Sequence, residues 1–167
     1  MSSSTAKSAV QITAAVITVS DSCARGVRED LSGPAVSQAL EKRGLTVSVR
    51  EIVPDNLIQI QNLLIRLARE VRLVVTTGGT GIAPSDVTPE ATKAVCERLL
   101  DGVAEHMRSE GVKKTPFAAL SRGLCGVRGK ALILNLPGSP KGALESLEAV
   151  ADLIPHAVDL LSGNTSH

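Results

Sequence analysis

A chain of 167 residues with 43% hydrophobic and 21% charged residues has the length and composition of one globular domain, able to bury roughly two-thirds of its unfolded surface. Its net charge of +1 is spread without a basic block, and its one aromatic residue is Phe117, which argues against a nucleic-acid footprint and against base stacking. No run of about 18 apolar residues occurs, which excludes a hydrophobic membrane-spanning helix.

The polar start, residues 1 to 11, is expected to be a disordered tail, and it lacks the apolar stretch of a secretory signal. ITAAVITV at 12–19 reads as a buried strand that ends in the polar loop Ser20-Asp21-Ser22. LSGP opens a helix over 31–43 that Gly44 closes, and LTVSVREIV at 45–53 alternates as a strand until Pro54. A helix over 56–71 and a buried strand, RLVVTT, at 72–77 follow. Thr88, Pro89 and Glu90 read as N-cap, first-turn proline and dipole-matched acid of a helix running to about Leu100, with a further helix near 102–110.

Beyond a loop around Thr115 and Pro116, KALILNL at 130–136 reads as a strand. A last helix is expected from Pro140 to Leu161, kinked or interrupted at Pro155, with 162–167 as a frayed tail. Alternating elements with continuous apolar strands indicate a three-layer α/β domain over 12–161, its mostly parallel sheet flanked by helices. Ligands of such sheets bind outside the carboxyl ends of the strands. Here those ends carry Ser20-Asp21, Pro54-Asp55, Thr77-Gly78-Gly79 and Asn135-Leu136-Pro137-Gly138.

Gly78, Gly79, Thr80 and Gly81 form a candidate phosphate loop, because glycine lets backbone N–H groups approach a ligand closely. The segment matches neither a P-loop nor a dinucleotide fingerprint, and a plain strand-to-helix turn is the competing reading. Asp55 and Asp86 each follow a strand by a loop; two carboxylates beside a phosphate cradle suit Mg²⁺, unless both are helix caps. Ser20, Asp21 and Asp30 are further candidates from the first loop, and Asn135, Pro137, Gly138 and Ser139 from the last, where a helix N-terminus faces an anion. Arg122, Arg128, Lys130 and Lys141 flank the same expected edge as secondary phosphate candidates. His106, His156 and His167 lack catalytic neighbours. Cys23, Cys96 and Cys125 are odd in number and without metal spacing, which fits free thiols in a cytoplasmic, reducing setting.

VSDS at 19–22, VPDN at 53–56, TTGGTGIAPSDVTPEAT at 76–92, TPFAALSRG at 115–123 and LNLPGSPKGA at 134–143 resemble the motifs of molybdopterin adenylyltransferases, the Mog, MoaB and gephyrin G-domain family, in the same order. The resemblance implies the molybdopterin-binding fold, a homotrimer, and the reaction of ATP with molybdopterin to give adenylylated molybdopterin and pyrophosphate. It further implies a catalytic Mg²⁺ on Asp55 and Asp86, nucleotide contacts from the 78–81 loop with Ser20, Asp21 and Asp30, and a pterin phosphate near Ser121, Arg122 and Lys141. A molybdenum-insertion enzyme is the implied downstream partner. Gly111 departs from the serine that many relatives carry, which removes one hydroxyl from the pterin side. The competing readings are a non-catalytic carrier or MoaB-like protein, and a Mg²⁺-dependent nucleotide hydrolase.

Overall fold

The computed structural model describes residues 11–165, and most of the expected 1–11 tail and the last two residues of the 162–167 tail lie outside them. Strand β1 (Thr13–Val19) is buried on both faces: Ala14 and Val16 join one apolar cluster, and Ala15, Ile17 and Val19 the other. That split follows from the period-two alternation of a strand placed between two helical layers. With β2 (Thr46–Val53), β3 (Leu73–Thr77), β4 (Arg98–Leu99), β5 (Cys125–Arg128) and β6 (Ala131–Leu136), it builds a sheet ordered β2-β1-β3-β6-β5-β4. The first four strands of that order are parallel and the last two antiparallel.

After the short α1 (Asp21–Ala24), helices α2 (Ser32–Lys42), α5 (Asp101–Val112), α6 (Pro140–Val150) and α7 (Leu153–Leu161) cover one face, while α3 (Leu57–Glu70) and α4 (Thr88–Val95) cover the other. Helix α3 shows why: Ile60, Leu63, Leu64 and Leu67 recur at helical spacing and are all buried against Ile17, Val74 and Ile133. Each such side chain contributes about 1.5–3 kcal/mol on burial. The result is the three-layer α/β fold expected from the sequence.

Three local expectations are corrected, and the interruption expected at Pro155 is found. The helix that opens at residue 88 stops at Val95, because Cys96 turns extended and the backbone N–H groups of Glu97 and Leu100 pair with Val127 and Cys125. Thr88 is not its N-cap: it is a fully buried first-turn residue whose hydroxyl donates to the Gly78 carbonyl over 3.0 Å. The loop at Thr115 continues into a 3₁₀ helix, Pro116–Leu120. The last helix breaks at Ala151–Asp152, just ahead of Pro155, whose ring excludes the carbonyl of residue i−4 and whose nitrogen has no hydrogen to give it.

Residues 162–164 close α7 rather than leave it open, since Ser162, Gly163 and Asn164 donate backbone N–H groups to Asp159 and Leu160. Among the described residues no helix is long and apolar enough to cross a membrane.

Candidate active site

The connection out of β1 runs to β2 on one side and the connection out of β3 runs to the opposite side, so the crevice between the ends of β1 and β3 is the topological switch point of the sheet. A cleft of about 310 Å³ opens there. Ser20, Asp55, Gly78, Gly79, Asp86, Gly138 and Ser139 all line it. Its floor is tied by the Ser32 and Thr77 hydroxyls, 2.8 Å apart.

Asp55 is held by a reciprocal pair across the ends of β1 and β2: its Oδ2 accepts from the Asp21 N–H at 3.0 Å, and its own N–H donates to Asp21 Oδ1 at 2.8 Å. The helix-cap alternative for Asp55 fails, because the α3 N-cap is Asn56, whose side chain accepts from the Gln59 N–H at 3.0 Å. Burial pushes the Asp55 carboxyl above the ordinary carboxylate value; the Asp21 N–H opposes this, and the charges of Asp21 and Asp86 add to it. Asp86 closes a turn by accepting from the Ala83 N–H at 3.0 Å.

Between these acids runs the glycine loop. Gly78 and Gly79 have φ of 96° and 68°, a region that disfavours side chains, and a Cβ on Gly79 would overlap the Thr88 hydroxyl and crowd Asp55 Oδ1 at 3.3 Å. Arg122 braces the loop from behind: its Nε donates to Gly81 O at 2.8 Å, its Nη2 to Asp86 O at 2.9 Å, and its Nη1 pairs with Glu90. The guanidinium also holds the Glu90 carboxyl below its usual range. Replacing Arg122 with Ala or Lys is expected to cost about 1–3 kcal/mol, because neither side chain reproduces the fork and two loop carbonyls lose their donors. An unchanged melting temperature in both variants would contradict the brace.

The probable molybdopterin binding domain family matches residues 15–156. A molybdopterin adenylyltransferase of Helicobacter pylori is 48% identical over 153 residues, covering 89% of this chain and 87% of that protein. The molybdopterin adenylyltransferase of Escherichia coli K12 is 38% identical over 164 residues, covering 89% and 84%. Among solved structures, the molybdopterin biosynthesis enzyme MoaB of Thermus thermophilus superposes with a TM-score of 0.87 at 48% identity, covering 92% of this chain and 98% of that one. The chain belongs to the molybdopterin-binding domain family.

In this molybdopterin-binding domain the carboxylates fit a magnesium ion that shares its shell with phosphate and water. Among the described residues no three His, Cys, Asp or Glu side chains converge as a self-sufficient metal site, while Asp55 and Asp86 each keep an Oδ1 that accepts no hydrogen bond. One or two carboxylates are the usual protein share for Mg²⁺.

The remaining sequence candidates divide. Asp30 lines the cleft but is engaged, accepting from the Thr18 hydroxyl at 2.7 Å and from the Gly33 N–H in the first turn of α2 at 3.0 Å. Ser139 caps α6 at the cleft rim through the Gly142 N–H at 3.1 Å. Asp21 positions Asp55, and buried Thr80 offers its carbonyl to the Arg122 N–H at 2.8 Å.

Asn135 does not reach the cleft. It is 1% exposed, its Nδ2 donates to the Thr76 and Thr92 hydroxyls and its Oδ1 accepts from the Leu124 N–H. With Pro137, Ser121, Arg108 and Gly111 it instead lines a second pocket of about 40 Å³. Pro137 and Gly138, adjacent in sequence, thus face the two pockets. Lys141 is exposed on the first turn of α6.

Arg128 ends β5 and Lys130 precedes β6, at the far end of the strands from the site, with Arg128 donating to Val95 O at 2.8 Å. Arg28 and Glu29 in the cleft and Arg108 in the second pocket escaped the sequence reading, because loop and helix charges without a motif look solvated. Burial pushes the Cys96 and Cys125 thiols up to about 11 and about 12, so both act as small apolar groups.

Proposed function

We infer that this chain is a molybdopterin adenylyltransferase acting in molybdenum cofactor biosynthesis, transferring AMP from ATP to the terminal phosphate of molybdopterin. The observation that carries the reading is one cleft in which the Asp55 and Asp86 carboxylates flank the positive-φ Gly78-Gly79 turn, in a chain 48% identical to a protein named for that activity.

A terminal phosphate oxygen of molybdopterin attacks the α-phosphorus of ATP; the new P–O bond forms as the bond to the bridging oxygen breaks, and pyrophosphate leaves with the electron pair. The Gly78 N–H is already given to the Leu136 carbonyl at 3.1 Å, so the loop N–H groups at 79–81 bind triphosphate oxygens, and the rim of α6 at Ser139 adds the partial positive end of a helix. Mg²⁺ held by Asp55 and Asp86 would neutralise phosphate charge and orient the leaving group. No protein nucleophile is needed.

In this reading Ser121 and exposed Lys141 meet the pterin end, while Arg122, its guanidinium committed to Gly81, Asp86 and Glu90, acts only through the loop it braces; the second pocket, at about 40 Å³, is too small to enclose a pterin ring. Gly111 on its wall adds no hydroxyl. A pterin carrier or inactive MoaB-like protein is not favoured, because both carboxylates are kept. The free cysteines fit a cytoplasmic, reducing setting, and a product carrying activated pterin suits a downstream molybdenum-insertion enzyme. Exposed Phe117 and Leu120 offer an apolar surface for the proposed homotrimer; a monomer by sedimentation equilibrium would exclude it.

The decisive assay follows pyrophosphate release. Release that requires both molybdopterin and Mg²⁺ supports the transferase, whereas equal ATP cleavage without pterin makes the protein a hydrolase. Acid sensitivity carries a signature of Asp55. Its carboxyl ionises only above its raised value, so Mg²⁺ affinity should fall on acidification at a higher pH than an ordinary aspartate, near about 3.9, would give. Calorimetric Mg²⁺ titrations across pH check this; a midpoint at or below the ordinary value contradicts it.

A further inference from the structure

The charges that line the cleft do not balance a polyphosphate by themselves. Glu29, Asp30, Asp55 and Asp86 contribute carboxylates, and Arg28 is the one lysine or arginine among the described lining residues. Its guanidinium makes no ion pair and no hydrogen bond among the described residues, although four acids share the cleft, while Arg122, the arginine behind the glycine loop, is engaged with protein through its Nε and both Nη atoms.

The backbone under Arg28 is nonetheless fixed. The N–H groups of Val27 and Arg28 both donate to the Ser22 carbonyl, at 2.9 and 3.2 Å, so the segment after α1 folds back over the cleft with its side chain exposed. A tethered, uncommitted guanidinium beside an anion cradle has five donors and a geometry that matches two phosphate oxygens at once.

We propose that Arg28 is the polyphosphate-binding residue of this cleft, contacting the β- and γ-phosphates that depart as pyrophosphate and thereby selecting a nucleoside triphosphate over the monophosphate. The inference rests on the adenylyl-transfer reading of the same cleft. It adds the residue that reads the leaving group.

The test is calorimetric binding of ATP, AMP and inorganic pyrophosphate, in buffer containing Mg²⁺, to the wild type and to Arg28→Ala and Arg28→Lys. Because Arg28 is exposed on a loop and makes no side-chain hydrogen bond or ion pair among the described residues, both variants should fold as the wild type does, which their melting curves check. The expected result for Arg28→Ala is a loss of about tenfold or more in affinity for ATP and for pyrophosphate with AMP unchanged, and partial recovery in Arg28→Lys. Equal losses for ATP and AMP, or no loss at all, would overturn the proposal while leaving the adenylyl-transfer reading in place. Wild-type protein that binds neither ATP nor pyrophosphate would overturn that underlying reading, and this one with it.

Discussion

Asp55→Asn should reduce AMP transfer about a thousandfold or more while leaving the melting temperature at neutral pH unchanged or slightly higher. The two halves of that result have one cause. Asparagine keeps an oxygen to accept the Asp21 N–H, so the tie between the ends of β1 and β2 survives. What disappears is a negative charge that the fold disfavours, since burial and the charges of Asp21 and Asp86 raise the Asp55 carboxyl.

The sign is fixed by linkage. A carboxyl whose folded value is raised contributes its full stability below its ordinary value, about 3.9, and that contribution is lost as pH rises through the folded value. At neutral pH the ionised group is therefore retained at a cost to the fold, as expected of a cation-binding residue. Steady-state rates with a parallel thermal melt measure both halves. Full turnover in the variant would remove Asp55 from the chemistry, and a large drop in melting temperature would make it structural instead.

Gly79→Val should abolish ATP binding. At φ of 68° a β-branched side chain is strained before any contact is considered, and its Cβ would overlap the Thr88 hydroxyl that bonds the Gly78 carbonyl. Valine would also thrust toward Asp55 Oδ1 and close the space in which loop N–H groups meet phosphate. Some loss of stability, about 1–3 kcal/mol for the strained backbone, should accompany the loss of binding. Gly79→Ala should already show part of both losses, because its Cβ alone overlaps the Thr88 hydroxyl and reaches Asp55 Oδ1. ATP affinity within about twofold of wild type in Gly79→Val would show that the loop is a turn and nothing more.

The core of the fold is legible in the sequence because its elements are strongly patterned. The four parallel strands read as apolar or alternating runs, and α3 carries its buried residues at helical spacing, so local and tertiary preferences agree. The elements that go unread, β4 and β5, are two and four residues long and owe their conformation to sheet pairing, β4 with β5 and β5 with β6. Residues 96–100 carry ordinary helical propensities that pairing with β5 overrides.

The site divides the same way. Asp55, Asp86 and the glycine loop stand out because backbone conformation and strand-end position leave marks in the chain. Asn135 misleads, for its position at a strand end is right while its side chain turns inward to Thr76 and Thr92. Arg122 illustrates the opposite limit: its function as a brace depends on the carbonyls of Gly81 and Asp86, far back in the chain, and only folding brings them together.

The central claim, that the cleft transfers AMP onto molybdopterin, is tested most directly by following the α-phosphate of labelled ATP. The account predicts that, with Mg²⁺ and molybdopterin present, the label moves onto the pterin while unlabelled pyrophosphate is released in equal amount. Label recovered only as free AMP, or remaining in ATP while molybdopterin is bound, would contradict it.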